Sequence, residues 1–600
     1  MRFSDRLLKY TGENPFGDNQ SRTYSDRKVY QEFYPISLFW SLFNDQNEIL
    51  LGSRGSGKTF LLRMMRYSML KNIDNEKARQ LIQSKKYIAL YVPLRLEFVI
   101  QLRHADLSEK SQTIRFQEGF NCLLCESLIG EIKALLEEIT DISQKIKKQI
   151  SIVTKLEELW FGERTGICEF NELLHKVNLY YTQIEWEATP KDDQSYIFRK
   201  QIGAPLMFAQ RLLADELNLD NDPTWIICID EAEFLTETMQ KCINSFFRSY
   251  SNRIALKIAT LPYYHVTLET LADGIYVSDG NDFNYRMVDL SVDSQDFIEL
   301  TNSLCKHRLY ERCLRDDYCN TVEDFVGVIG DDDLIDYYRL EVGEEKATLQ
   351  AIMDRIIASF PDKRKKNAKN YSNPRKTIYD KFAPIIYLRE MKDLSENHGN
   401  RKVGWFAGAK MIRRVSQGNP RQFIQIMNYL FEKAREKKLT PKVQHEVIFE
   451  YAESLCKATR SFEKHGPDAY MNLEYISNVL SERIHGGKLV TSGNVFRIQY
   501  NNEDEFNQAI PWIQVAVAHS RIIVDEETRR SGITKETKFT LGNAFSIVKW
   551  IPMRSDTAIK VRLPGKHEEG KNEKTRNKNN KTSNEFGERQ ITVEETLRNG

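Results

Sequence analysis

The stretch Gly52-Ser53-Arg54-Gly55-Ser56-Gly57-Lys58-Thr59 constrains the fold of this chain more than any other. It follows the apolar run Glu48-Ile49-Leu50-Leu51 and restarts as Phe60-Leu61-Leu62-Arg63-Met64-Met65, which predicts a strand, a tight loop and a helix in that order. The spacing is G-x-x-x-x-G-K-T. Glycines at 52, 55 and 57 let the backbone curl until successive N–H groups point inward at a helix N-terminus, where peptide dipoles favour an anion. Such a cradle suits phosphate. Lys58 is expected to reach the β- and γ-phosphates of a nucleotide, and the Thr59 hydroxyl to be one ligand of the Mg²⁺ that bridges them. The expected cofactors are ATP and Mg²⁺.

A phosphate loop of this kind works with an acid delivered by another strand. Asp222-Pro223 punctuates the chain, and Thr224-Trp225-Ile226-Ile227-Cys228-Ile229-Asp230-Glu231 follows, an apolar run that ends in two carboxylates. That is the pattern of a central parallel strand ending at a phosphate site. Asp230 is then expected to hold the metal shell and Glu231 to polarise the attacking water. Further apolar runs at 86–94, 254–261 and 285–290 alternate with helical segments. The alternation predicts an α/β fold, a parallel sheet covered on both faces.

At 600 residues the chain is too long for one core, and about 150 residues per domain predicts three or four. The formal net charge of +1 excludes a wholesale polyanion binder, so any nucleic-acid surface must be a local patch. Nine cysteines without a disulfide-scaffold spacing read as reduced thiols. Neither an N-terminal apolar h-region nor ~18 consecutive apolar residues is present, so the expectation is a cytoplasmic protein without a membrane partner.

The expected order of domains is a flanking segment at 1–47, an α/β core at 48–300 with a helical insertion at about 100–200, and a helical lid at 301–460 with an insertion at about 315–400. A smaller domain at 466–563 and a disordered tail at 564–600 follow. Aromatic residues Tyr30, Phe33, Tyr34, Phe39 and Trp40 are placed to flank a nucleotide base. Leu128, Ile132, Leu135, Ile139, Ile142 and Ile146 follow a heptad seam, read as an amphipathic helix on its own domain. The basic run at 363–366 reads as a solvated loop, and Cys305, His307, Cys313 and Cys319 lack the paired C-x-x-C knuckle of a zinc site. In Gly418-Asn419-Pro420-Arg421, Gly-Asn ends one helix and Pro starts the next, which puts Arg421 in a first turn able to lean over a γ-phosphate. Short β runs at 521–524 and 539–541 flank a charged stretch containing Arg529, Arg530, Lys535 and Lys538.

Taken together, these motifs resemble the AAA+ ATPases, most of all the origin-recognition and replication-initiator branch, its bacterial relatives and the neighbouring STAND signalling NTPases. The resemblance implies Lys58 and Thr59 as Walker A, Asp230 and Glu231 as Walker B, Thr260 as sensor 1 and Arg421 as sensor 2. It also implies homo-oligomers on ATP binding, and Arg286 is the nominee for an arginine finger. The C-terminal domain resembles a winged helix, which in initiator-type relatives binds duplex DNA. The function so implied is a slowly hydrolysing ATP switch that couples nucleotide state to DNA or partner binding. The alternative is a STAND-like signalling or anti-invader defence NTPase that assembles with an effector protein and does not bind DNA directly.

Overall fold

The computed structural model describes residues 3–17, 24–186, 197–219, 223–248, 253–312, 319–358, 374–398, 403–462, 464–486, 493–553 and 558–564. The basic run at 363–366, Cys313 and the tail from 565 lie outside these residues.

Five strands form one parallel sheet: β1 Glu48–Leu51, β2 Tyr87–Pro93, β3 Thr224–Asp230, β4 Ile254–Thr260 and β5 Asn284–Met287, in the order β2-β3-β4-β1-β5. Every residue of β1, β3 and β4 is buried, which is why they read as nearly continuous apolar runs and not as an alternation. Because β4 lies between β1 and β3, the phosphate loop after β1 and the acids ending β3 stand two strands apart on the same edge of the sheet. Crossover order sets that spacing, and the strands' twofold periodicity then decides which way each side chain faces. Leu50, Ile226, Cys228 and Ala259 pack with Leu61, Leu62 and Met64 of the loop helix, whereas Ile49, Leu51, Ile227, Ile229, Leu256 and Ile258 pack on the opposite face. By the same alternation Asp230 falls on the face of the loop helix and Thr260 on the other.

Between β2 and β3 the chain forms the helices Leu96–His104, Glu109–Leu136, Ile142–Phe161 and Phe170–Trp186. The heptad seam does not run along one helix. Leu128, Ile132 and Leu135 are buried in the first long helix, which stops at Leu136. Asp141 then caps a new helix by accepting from the Ser143 and Gln144 amides, and Ile142 and Ile146 stand 73% and 51% exposed. The local cap outweighs the apolar period across the junction.

The lid consists of Gln295–Arg312, Ala409–Ser416, Pro420–Glu436 and Pro441–Ala458, with further helices inserted between the first two. In the C-terminal region, helix Gly466–His485 leads to a second sheet of β6 Val495–Gln499, β7 Ile522–Ile523, β8 Phe539–Leu541 and β9 Ile559–Arg562, in the order β7-β8-β6-β9. β7 and β8, which fall on the two short β runs, pair antiparallel, and the charged stretch between them contains a short helix, Glu526–Ser531, turned inward onto the phosphate-loop region. One continuous apolar core joins Phe3, Leu7 and Phe16 to lid residues such as Ile412 and Phe431 and to Phe496, Trp512 and Phe545 of the C-terminal region. No helix among the described residues is long and apolar enough to cross a membrane. Nor do they contain a group of three or more His, Cys, Asp or Glu side chains that could hold a metal ion; Cys305 and Cys319 are buried near the Thr321 carbonyl.

At the N-terminal end of β1, Glu48 and Lys257 form a fully buried ion pair at 2.9 Å, and the Arg286 Nε–H donates to the second Glu48 oxygen at 2.7 Å. The finger nominee is thus engaged within its own sheet, toward the end of β1 away from the phosphate loop. Glu48→Ala would leave a buried ammonium without its counter-ion and is expected to cost about 3–5 kcal/mol. Hydrogen exchange in β1 and β4 under mild urea checks this, and the double change Glu48→Leu with Lys257→Met is expected to recover most of the loss.

Candidate functional site

The phosphate loop owes its shape to three glycines with three separate reasons. A Cβ at Gly52 would fall 2.5 Å from Ser56 Oγ, so the loop could not close on itself. At Gly55, φ is +89° and a Cβ would lie 2.7 Å from the Cβ of Arg421, so the lid could not approach. Gly57 has free space around it, but its φ of +97° is left-handed, and it is the N-cap of the loop helix Lys58–Met64. The first N–H groups of that helix have no intrahelical acceptor, which makes its start the anion cradle.

Lys58 is buried, and its amine donates to the Gly52 and Ser53 carbonyls at 2.6 and 3.2 Å. Burial lowers its pKa, opposed by the carboxylates of Glu233, Asp289 and Asp230. Asp230 is buried at the end of β3, with Oδ1 accepting from the Glu231 amide at 3.0 Å and Oδ2 from the Tyr91 hydroxyl at 2.8 Å. Burial, with Asp230's charge next to it, pushes the Tyr91 hydroxyl well above its ordinary pKa, so Tyr91 stays a donor that fixes the carboxylate. Glu231 sits in left-handed backbone at φ +62°, which turns the chain sharply away from the sheet.

The lid closes the loop from above through Asn419. Its side-chain oxygen caps helix Pro420–Glu436 by accepting from the Arg421 and Gln422 amides, while its nitrogen donates to the Arg54 carbonyl at 2.8 Å and to Ser53 Oγ at 3.3 Å. Gly418 makes the approach possible: its φ is +71°, and a Cβ there would come within 1.8 Å of the Leu290 carbonyl oxygen. Arg421 consequently lines the same cavity as Lys58, Thr59, Asp230 and Glu231. Burial, with the Arg54 cation beside it, lowers the Arg421 pKa. Two arginines that repel across one cavity are a charge arrangement an anion relieves. Ser56 Oγ, also on the cavity, is buried without a hydrogen-bond partner.

Of the aromatic residues expected beside a base, Phe33 and Tyr34 line the cavity, joined by Tyr24, Ile36, Leu300 and Ile424. Phe39 is buried beneath them and Trp40 packs on the same core. Arg308 and Glu32 pair at 2.7 Å in the cavity wall, and Arg308 also donates to the Tyr24 hydroxyl at 3.0 Å. Both belong to the wall and escaped sequence reasoning, since they are 276 residues apart.

Thr260 is the one expected catalytic residue that the fold does not bring to this cavity. It stands beside Gly52, whose amide meets its carbonyl at 3.4 Å, but its hydroxyl is buried without a partner on the opposite face of the sheet. There it lines a small separate cavity with Gln240 and His265. A second acid missed in the sequence takes a place in the main cavity: Glu233, one 3-10 turn past Asp230, has Oε2 buried without a partner, and burial raises its pKa. The spacing Asp-Glu-x-Glu was its only sequence signal.

A phosphate loop, a buried acid two strands away and a lid arginine on one cavity define a P-loop NTPase of the AAA+ kind, with an extra strand between the loop strand and the acidic strand. The chain belongs to the ORC-CDC6-like family, which it matches over residues 14–561, so that sheet, lid and C-terminal region fall within one match. Comparison with curated proteins finds no match. Lys58→Ala removes the buried ammonium of the loop and is expected to weaken a fluorescent ATP analogue by at least about 100-fold, in line with the ~3 kcal/mol of a charge-assisted contact. Unchanged binding in that variant would contradict the site.

Proposed function

We propose that the protein is an ATP-dependent molecular switch: ATP·Mg²⁺ binds between sheet and lid, slow hydrolysis resets the geometry, and the C-terminal region presents the output to duplex DNA or a partner. The observation that carries this reading is the convergence of Lys58, Asp230 and Glu231 from the sheet with Arg421 from the lid on one cavity. Because the cavity has walls from both, a triphosphate there would bias the angle between them.

Thr59 and Asp230 are the residues that would hold Mg²⁺; both face the cavity, and Asp230 is already oriented by Tyr91. Bound there, the ion would supply charge neutralisation for the transferring phosphoryl group. Within the chain, Glu231 accepts a proton from the attacking water as its oxygen bonds to the γ-phosphorus. The bond from that phosphorus to the bridging oxygen breaks, and Lys58 meets the charge left on the ADP oxygen. Arg421 neutralises the γ-oxygens from the lid side. Glu233 balances the buried Lys58 charge from the cavity floor. Thr260, whose hydroxyl lies on the opposite face of the sheet, has no part in this step.

For the output, duplex DNA would have to compete with pairs already made. Arg529 is held by Asp289, Lys535 by Glu503, and Arg530 lies 3.8 Å from Glu526. A protein partner, as in the STAND-like reading, is favoured by a separate observation: Val266, Leu271, Ile275 and Tyr276 are 65%, 42%, 46% and 53% exposed on the loop between β4 and β5. Assembly of copies on ATP binding would present such a loop to a neighbour. DNA-stimulated turnover with salt-sensitive affinity supports the first output, and turnover indifferent to DNA supports the second.

Glu231→Gln is expected to bind ATP about as well as the native chain while phosphate release falls by roughly 100-fold or more, the range of a lost general base. Release at the native rate in that variant would move the base elsewhere, with Glu233 next in place.

A further inference from the structure

We propose that Asp289 is a positioning residue through which the C-terminal region sets the shape of the phosphate loop, and that Arg529 is the side chain that holds it there. Asp289 lies just past β5, where the Val288 amide is tied to the Leu51 carbonyl at 2.8 Å, so its backbone is fixed beside the start of the loop. Its Oδ1 accepts from the Ser53 amide at 3.0 Å and the Ser53 hydroxyl at 2.6 Å, and its Oδ2 takes the Arg529 guanidinium. The pair is nearly buried, with side chains 16% and 11% exposed.

The next loop residue is gripped by the same region. The Arg54 amide donates to the carbonyl of Ala518 at 2.9 Å, at the end of helix Glu503–Ala518, and the Tyr263 hydroxyl donates to the Thr528 carbonyl at 3.2 Å. Two successive loop amides, Ser53 and Arg54, are therefore fixed from outside the nucleotide cavity by groups that the C-terminal region supplies or steadies. Asn419 of the lid holds the Ser53 hydroxyl and the Arg54 carbonyl from the other side. The cradle's first peptide is thus clasped by three parts of the chain at once. With Arg529 gone, Asp289 would lose its counter-ion and the Ser53 end of the loop would be freer, so nucleotide binding would have to order it.

Linkage makes the effect reciprocal: a polyanion that draws Arg529 off Asp289 must weaken nucleotide binding by the factor by which nucleotide weakens the polyanion. DNA contact through Arg529 and the clasped loop are in this way alternatives for one guanidinium. The inference rests on the proposed ATP site, and its test keeps the two apart. In the full chain, Arg529→Ala is expected to weaken a fluorescent ATP analogue by about fivefold or more, within the usual span of site-to-site coupling, and to speed hydrogen exchange at Ser53 and Arg54. Arg529→Lys is expected to restore most of both, and Asp289→Asn to behave like Arg529→Ala. An Arg529→Ala chain that melts earlier but binds the analogue and exchanges at Ser53 and Arg54 like the native protein would reduce the pair to structural glue and overturn the proposal. Failure of the native chain to bind the analogue would instead sink the ATP reading, and loop exchange alone would then decide the clasp.

Discussion

A single asparagine side chain carries the junction on which the rest of the structure depends. Asn419 uses its oxygen to cap the lid helix and its nitrogen to hold the phosphate loop, so the helix cannot start in its observed place unless the loop is curled, and the loop is steadied by the helix that overlies it. Gly55 is the clearance that lets the lid helix approach the loop, and Gly418 the one that lets the lid pass the Leu290 carbonyl. With lid helix and loop in contact, Arg421 lines the cavity shared with Lys58 and Asp230.

The same junction explains how a change at phosphate could reach distant surface. The lid shares one apolar core with the first described residues of the chain and with the C-terminal region, so these parts are packed to one another directly. The phosphate loop, for its part, is bonded to the lid at Arg54 and Ser53, to the end of β5 at Ser53 and to the C-terminal region at Arg54. Its neighbours hold the Ser53 and Arg54 backbone as well as the Ser53 hydroxyl, so a shift of the loop would have to move them with it.

What could be read from the sequence was whatever depends on local spacing. The loop, the buried strand that ends in Asp230-Glu231 and the Gly-Asn-Pro-Arg helix start each carry their geometry within a few residues, and the parallel sheet follows from unbroken apolar runs that only a doubly covered sheet can bury. Features set by register or by long-range pairing were hidden. Thr260 ends the right strand, but strand parity turns its hydroxyl to the wrong face. Tyr91 meets Asp230 only because β2 pairs with β3, and Arg308 meets Glu32 only because the lid folds back on the N-terminal segment. The apolar period from Leu128 to Ile146 looked continuous, but the Asp141 cap divided it. The charged stretch around Arg529 carries no local sign that Asp289 will face it.

The central claim is that one triphosphate joins the loop, the acids of β3 and the lid, and hydrogen exchange of the full chain with and without ATP·Mg²⁺ tests it most directly. The account predicts slowed exchange together at residues 52–60 and at 419–424, with little change in β6 and β9. Protection confined to another part of the chain, or none at 52–60 with saturating ATP·Mg²⁺, would contradict it.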